Sequence, residues 1–389
     1  MNDAVIAGYV RSPFTPARRG ELARVRPDDL AAVVVRELVA RTKVDPDAIE
    51  DLIVGCAFPE AEQGLNVARL VALLAGLPVS VGGITVNRFC GSSMQAIHMA
   101  AGAIAMGAGE VFVCAGVESM TRVPMLGFNP MPNVVMLDAA PGAYASMGET
   151  AENVAGRFAI QRGAQEAFAV ASHAKASAAQ AAGHYAREIV PIAQSAAAGG
   201  AQDPTAMPPV DTDGCIRADT SARALAELKP AFSATGSVTA GTSSPLTDGA
   251  VAVLVTSADY AARAGLDVLA HIRAIAGAGC EPEIMGMGPV HATRKALRRA
   301  GLSMADIDLV ELNEAFASQA LACIAELELD PAIVNIDGGA IALGHPLGAT
   351  GARITGKAAD LLVREQKRYA LSTQCIGGGQ GIATILERV

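Results

Sequence analysis

The chain has 389 residues, of which 51% are apolar and 18% charged, with a formal net charge of −9. That length exceeds one typical core and predicts two or three domains. The acidic balance excludes an electrostatic grip on nucleic acid or acidic lipid, so an anionic substrate requires a local basic pocket.

In chain order, residues 4–9 read as a strand rather than a leader. A helix is predicted from Asp28 to Ala40, a strand over 49–55, a helix over 66–74 and strands over 84–87 and 111–115. This alternation is the pattern of a parallel sheet covered by helices on both faces. The stretch from about 123 to 240 is rich in Ala, Gly, Pro and Met, includes the polar run 195–203, and predicts a helical insertion with long loops. The pattern then resumes with strand 250–256, strand 269–276, helix 289–300, strand 308–311, helix 315–326, strand 332–336, helix 349–364 and strands 369–374 and 381–387.

Seven cysteines (56, 90, 114, 215, 280, 323 and 375) are odd in number and form no CxxC pair. They speak against a disulfide framework and a zinc site, predict no metal, and fit a reducing cytoplasm. The nearest approach to a membrane span is 89–109, but its small residues and the following Glu110 predict a buried soluble helix instead.

Cys90 stands at the joint between the strand at 84–87 and that helix. A thiol there lies at a helix N-terminus, where free N–H groups and the macrodipole favour the thiolate, so Cys90 is a candidate nucleophile. From Met94 to Met106 the only polar side chains are Gln95 and His98, which predicts a helix buried on all sides. A free Cys is otherwise most often a small buried hydrophobe. Two further sites place reactive side chains among glycines: His345 within 338–351, and Cys375 before Gly377-Gly378-Gly379.

The halves also match locally. Thr85-Val86-Asn87, the Cys90 loop and a helix are echoed by Ile333-Val334-Asn335, the His345 loop and another helix. Such a duplication brings both strand-to-helix turns to one crevice. Pro346 fixes the backbone of His345 in an extended form, and the glycines after Cys375 let a backbone N–H approach a substrate oxygen. Asn313, before Ala315-Phe316-Ala317, reads by default as a helix N-cap. His98, His173, His184, His271 and His291 lie in no comparable context and read as core or surface residues.

The chain resembles the thiolases in Asn87-Arg88-Phe89-Cys90-Gly91-Ser92-Ser93, Gly116-Val117-Glu118-Ser119-Met120-Thr121, the block 239–250, Asn313-Glu314-Ala315-Phe316, the glycine-rich block 338–351 and Cys375-Ile376-Gly377-Gly378-Gly379. These landmarks extend over nearly the whole chain in the family's order. The resemblance implies an α/β thiolase fold: a duplicated five-layered αβαβα core, each half a five-stranded mixed sheet, with an inserted loop domain. The expected division is an N-terminal core half over 1–122, completed by 241–266, a loop domain over 123–240 covering coenzyme A, and a C-terminal core half over 267–389.

The implied chemistry is CoA-dependent cleavage of a 3-ketoacyl-CoA through an acyl-cysteine. Such a reaction needs a nucleophile, a base, an acid and donors for two successive oxyanions. By resemblance Cys90 is the nucleophile, His345 the base and Cys375 the acid. His345 and a water held by Asn313 serve one oxyanion, and the N–H groups of Cys90 and Gly377 the other. For CoA, a substrate rather than a bound cofactor, the resemblance implies Ser244 against the pantetheine, apolar walls at Met147, Phe232, Ala240 and Phe316, and Arg217 near the nucleotide.

The Cys90 loop and Thr242-Ser243-Ser244 resemble the degradative 3-ketoacyl-CoA thiolases of β-oxidation more than the biosynthetic acetoacetyl-CoA thiolases; 3-oxoadipyl-CoA thiolases are close relatives. Decarboxylating condensing enzymes of the same fold pair one Cys with two His, and Cys375 argues against them. A non-catalytic lipid-binding or complex subunit is the remaining alternative, against which the set Cys90, His345, Asn313 and Cys375 argues. A homodimer or dimer of dimers is expected, with a β-oxidation multienzyme subunit as a further partner.

Overall fold

This computed structural model describes residues 3–194 and 208–389; the polar run 195–203 lies outside the described residues. The chain opens with β1 (Ala4–Arg11), the short β2 (Thr15–Pro16) and α1 (Pro27–Thr42). Then come β3 (Asp51–Gly55), α2 (Val67–Leu74), β4 (Gly82–Val86), α3 (Ser92–Ala105) and β5 (Val111–Ser119). The long middle stretch carries α4 (Val134–Ala139), α5 (Met147–Arg157), α6 (Arg162–Ala181) and α7 (Ala222–Ala226). The chain returns through β6 (Thr247–Ser257), α8 (Ala258–Ala264), β7 (Ala270–Gly279), α9 (Gly288–Ala300), β8 (Leu309–Leu312) and α10 (Ala317–Glu326). It closes with the single turn α11 (Ala340–Leu343), α12 (Leu347–Arg364), β9 (Tyr369–Ile376) and β10 (Gln380–Glu387).

Local signals set the helix ends. Pro27 starts α1, Asp28 and Asp29 sit in its first turn, and Lys43 ends it in the left-handed region. A capping box of Ser146 and Glu149 opens α5.

The strands run in the order β4-β3-β5-β6-β1-β7-β10-β9-β8, with β2 beside β6. Only Val5↔His271 and Ile6↔Ala270 join β1 to β7, so two sheets meet at a narrow seam. Side chains alternate in β5 and β6. Val111, Val113, Ala115 and Val117, with Ala250, Ala252 and Leu254, pack under α1 and α2. Phe112 and Cys114, with Val251, Val253 and Val255, face α3 and α12. On the other sheet, Leu371, Ala383 and Ile385 pack under α9 and α10. The result is five layers, with α3 and α12 in the middle one.

The two sheets repeat one plan. β3 lies parallel to β4 and β5, as β8 lies parallel to β9 and to a lone bridge at Val334. That bridge corrects the strand expected at 332–336. Pro331–Ile333 is a 3-10 turn, capped by the Asp330 carboxylate, which accepts from the Ala332 N–H at 2.9 Å. Asn335 sits at φ 45° and replaces the missing backbone pairing with its side chain. Its amide nitrogen donates to the Leu312 carbonyl at 2.8 Å, and its amide oxygen accepts from the Leu312 N–H at 2.9 Å. A side-chain amide that copies a strand's donor and acceptor leaves no alternation in the sequence to reveal it.

Two other expectations change. Helix α3 is buried along its first turns, but its end opens to solvent, with Met106 84% exposed. Asn313 is not a helix N-cap: Phe316, in extended conformation, precedes α10, and Asn313 directly follows β8, where its N–H donates to the Thr373 carbonyl at 3.0 Å.

Candidate active site

Cys90 lies between the β4 edge and α3, in a turn that requires Phe89 at φ 42°. That backbone is held by its neighbours. Asn87 Oδ1 accepts from the Phe89 N–H at 2.8 Å, while Ser92 Oγ accepts from the Arg88 N–H at 2.9 Å and donates to the Phe89 carbonyl at 2.5 Å. The end of β9 docks on the same turn: Gln374 Nε2 donates to the Cys90 carbonyl, and Ile376 packs where a Cβ on Gly91 would stand. The Cys90 sulfur packs with Ala57, Met120 and Leu347. The backbone N–H groups of Gly377 and of Cys90 itself favour its thiolate.

Those N–H groups do not make Cys90 a thiolate at rest. Burial dominates, and a nearby negative charge on Glu118 adds to it, so the thiol is pushed up to about 12. This corrects the expectation from the helix N-terminus: α3 starts two residues later with Gly91 as its cap, and desolvation of the sulfur outweighs the dipole. Cys375 is also buried and pushed up, first by burial and then by its proximity to Cys90.

His345 occupies the turn before α12. Its N–H donates to Thr247 Oγ1 at 3.0 Å. Thr350 Oγ1 donates to the Pro346 carbonyl at 3.0 Å, so it accepts from the imidazole Nδ1–H at 2.7 Å. This network assigns the proton to Nδ1 and leaves Nε2 with a free lone pair. Asn313 Nδ2 lies 3.4 Å from Nε2, and Asn313 Oδ1 is buried without a protein partner. Burial, and then the charge of Arg353, hold the imidazole down at about 3, so it is neutral at any ordinary pH. Leu347 links this turn to the shell around Cys90.

Cys375 packs with Ala151, Val238, Met285, Ala315 and Phe316, and Met147 lies against that group. A Cβ on Gly377 would meet Met147 and Phe89 at 3.6–3.7 Å, so Gly377 lies between the Cys90 turn and the middle stretch. Phe232, 42% exposed, stacks edge-on against Phe316 at 5.9 Å. Ser244 joins them: its N–H and its hydroxyl donate to the Ala315 carbonyl at 3.0 and 3.1 Å. Ala240 is exposed at the start of a 3-10 turn leading to that serine. Arg217 is recorded outside this group, exposed, with its N–H donating to His173 Nδ1 at 3.1 Å.

Sequence reasoning missed Thr350, Thr247, Gln374 and Glu118 as parts of this site. Thr247 and Glu118 stood inside motifs that carried the resemblance, but nothing in their spacing told what they touch. Among the described residues, no three His, Cys, Asp or Glu side chains gather to hold a metal, and no helix is long and apolar enough to cross a membrane.

Two buried thiols close together, with a neutral imidazole on a turn that Leu347 ties to the Cys90 shell, are a set suited to acyl transfer through sulfur. Comparison with known proteins gives the family. Residues 4–259 match the thiolase N-terminal domain and 266–388 the thiolase C-terminal domain. The chain is 47% identical over 390 residues to a 3-ketoacyl-CoA thiolase of Bacillus subtilis and 48% identical over 396 residues to one of Vibrio cholerae, covering all of both chains in each pairing. The crystal structure of the Bacillus anthracis acetyl-CoA acetyltransferase superposes with a TM-score of 0.90 at 38% identity, covering 100% of this chain and 99% of that one. The chain belongs to the thiolase family of acyltransferases, which act on coenzyme A thioesters.

Proposed function

We propose that the chain cleaves 3-ketoacyl-CoA with a second CoA, giving acetyl-CoA and an acyl-CoA two carbons shorter, in fatty-acid β-oxidation. The observation that carries the reading is the docking of the end of β9, which holds Cys375, on the Cys90 turn through Gln374 and Ile376, with Cys375 pushed up by its proximity to Cys90. His345 Nε2 takes the Cys90 proton, and the thiolate attacks the 3-keto carbon. The oxyanion is met by His345, now protonated, and by a water on Asn313, whose Oδ1 has no protein partner. The bond between C2 and C3 breaks, and its electron pair leaves as the acetyl-CoA enolate. Cys375 protonates that enolate, leaving an acyl thioester on Cys90.

In the second half, the Cys375 thiolate takes the proton of the incoming CoA thiol. That thiolate attacks the acyl carbonyl, whose oxyanion is met by the N–H groups of Cys90 and Gly377. Cys90 leaves and recovers its proton from His345. The high resting position of the Cys90 thiol suits this cycle, because a thiolate formed only as His345 accepts the proton is a strong nucleophile and a poor target for stray electrophiles.

Ser244 would meet the pantetheine, with Met147, Phe232, Ala240 and Phe316 as apolar walls contributed by residues 123–240 and their neighbours. Arg217 would meet the nucleotide end only if CoA extends toward His173. The boundaries 1–122, 123–240, 241–266 and 267–389 are the matching division into halves and insertion. A homodimer or dimer of dimers is supported by the open edge at β4, which among the described residues pairs only with β3, and by Leu65, Val79 and Met106, all more than 80% exposed. Seven free thiols support the cytoplasm as the compartment.

The alternative direction, acetoacetyl-CoA synthesis from two acetyl-CoA, is favoured by the superposition on an acetyl-CoA acetyltransferase. A panel from acetoacetyl-CoA to long 3-ketoacyl-CoA, with 3-oxoadipyl-CoA, decides between them. Preference for chains longer than four carbons is expected. Cleavage confined to acetoacetyl-CoA would overturn the degradative reading, and cleavage of none would overturn the thiolase reading.

A further inference from the structure

Glu118 is the penultimate residue of β5, and its side chain is buried. Every recorded polar partner is a donor. Oε2 accepts from the Ala57 N–H at 2.8 Å and the Gly348 N–H at 2.9 Å. Oε1 accepts from Gln63 Nε2 at 2.8 Å and the Phe58 N–H at 3.3 Å, with the Cys56 thiol at 3.8 Å. Gln63 is itself fixed, since its Oε1 accepts from the Ser119 N–H at 2.6 Å. Burial pushes the Glu118 carboxyl up, against the hydrogen bonds of Ala57, Gly348, Gln63 and Phe58. A proton on it would face no acceptor, so the donor set suits the carboxylate.

The partners matter for where they sit. Gly348 is the second residue of α12, and Pro346, the cap of that helix, offers no side-chain acceptor. Glu118 supplies the missing cap from another element, at the favourable end of the helix dipole. A side chain on Gly348 would strike Glu118 Oε2 at 2.8 Å and Cys56 Cα at 2.7 Å, so glycine permits the approach. On the other side, Ala57 and Leu347 both pack on Cys90, and Phe58 stacks on Phe89 at 6.0 Å.

We infer that Glu118 is a positioning residue, one carboxylate that clamps the end of α12 behind His345 to the 56–58 backbone that walls Cys90. The inference rests on the thiolase reading for the roles of those two residues. The titratable groups recorded against Glu118 are Cys56 and Cys90, so its negative charge is felt directly by the proposed nucleophile.

The test pairs two variants with two readouts, thiolytic kcat and KM, and the pH profile of Cys90 alkylation by iodoacetamide. Glu118→Asp keeps the charge and shortens the reach; kcat is expected to fall about 10²-fold at unchanged KM, the cost of a misplacement near 1 Å, with the alkylation midpoint unmoved. Glu118→Gln removes the charge; kcat is expected to fall as far, while alkylation at a fixed pH becomes about two- to threefold faster, relief from a neighbouring charge that acts on the thiol less than its burial does. A merely structural residue would not move turnover and alkylation in opposite directions. If Glu118→Gln does not fold, Gln63→Met, which removes one donor and no charge, is expected to lower kcat several-fold at an unmoved alkylation midpoint. Wild-type kcat in both Glu118→Asp and Gln63→Met, or a folded Glu118→Gln with both readouts at wild type, overturns the inference. Alkylation needs no thioester cleavage, so a wild-type chain that cleaves no 3-ketoacyl-CoA sinks the thiolase reading and leaves this readout intact.

Discussion

The turn before α3 and the turn before α12 hold equivalent places in the two halves, yet they are secured by different means. The Cys90 turn follows a true strand, β4, which is the open edge of its sheet, and its own residues Asn87 and Ser92 hold Phe89 at positive φ. The His345 turn follows no strand at all. It is buried throughout and is anchored from outside, by Thr247 on β6, Thr350 on α12 and Glu118 behind the helix end. The difference follows from exposure. A turn at a sheet edge is held largely by its own residues, with Gln374 of β9 as an outside donor, whereas a buried turn must find partners for every polar group, and those partners can also fix a tautomer.

The largest expected effect falls on the Cys90 side of the comparison. Cys90→Ala should lose thiolysis by about 10⁶-fold, the scale on which removal of a covalent nucleophile is felt. Acetyl-CoA should add one acetyl group to the wild-type peptide that holds Cys90, read by mass spectrometry. An acetyl group that persists on Cys90→Ala would place the acyl carrier elsewhere. Cys375→Ala tests the neighbouring thiol: it should still acquire the acetyl group from acetyl-CoA, yet lose thiolysis and the exchange of acetyl α-protons with deuterated solvent. Near-normal exchange would move the acid to another group.

On the other turn, His345→Ala should slow acylation by about 10² to 10⁴, the range of a lost general base, and raise the pH at which iodoacetamide alkylates Cys90. The sign follows from the resting states: with the thiol near 12 and the imidazole neutral, loss of the acceptor leaves only solvent to take the proton. An alkylation profile equal to wild type would break the pairing of the two turns. Thr350→Val sharpens it further. Losing one hydrogen bond from Nδ1, worth roughly 0.5–1.5 kcal/mol, should lower kcat about 2- to 12-fold, with Thr350→Ser restoring most of it.

The two turns also differ in how far the sequence disclosed them. Alternating and helical periodicity placed most elements within a few residues, and Cys90, His345, Cys375 and Gly377 stood out as reactive or permissive residues in glycine-rich joints. What periodicity could not show was contact across the fold. Asn335 substitutes a side chain for a strand, Glu118 caps a helix more than two hundred residues away in sequence, and Thr350 sets the His345 tautomer. Each is a long-range or side-chain pairing with no signature in spacing. Burial was misjudged for the same reason: the dipole argument for Cys90 used local sequence, while the desolvation that outweighs it comes from Ala57, Met120 and Leu347.

The last expected effect falls on stability and leaves turnover untouched, and it compares a histidine on each of the two central helices' sides of the crevice. His98, on α3, is buried against Thr384, with Nε2 2.8 Å from Oγ1, and burial holds it at about 3, as it holds His345. Both imidazoles are depressed below the unfolded value near 6.5, so the unfolded chain binds more protons as pH falls through 6.5. Stability conferred by the neutral folded form is therefore full above that pH and is lost as the pH drops toward 3, at about 1.4 kcal/mol per pH unit for each group. His98→Gln keeps a polar side chain facing Thr384 and removes the titration. Denaturant unfolding between pH 6 and 4 should show an acid slope shallower by about that amount, with thiolysis at pH 8 unchanged because the hydrogen-bond partner of His98 is Thr384, outside both reactive turns. An acid slope identical to wild type would mean that His98 is protonated within the fold, and that the centre of the molecule is more accessible to water than the packing of α3 against α12 allows.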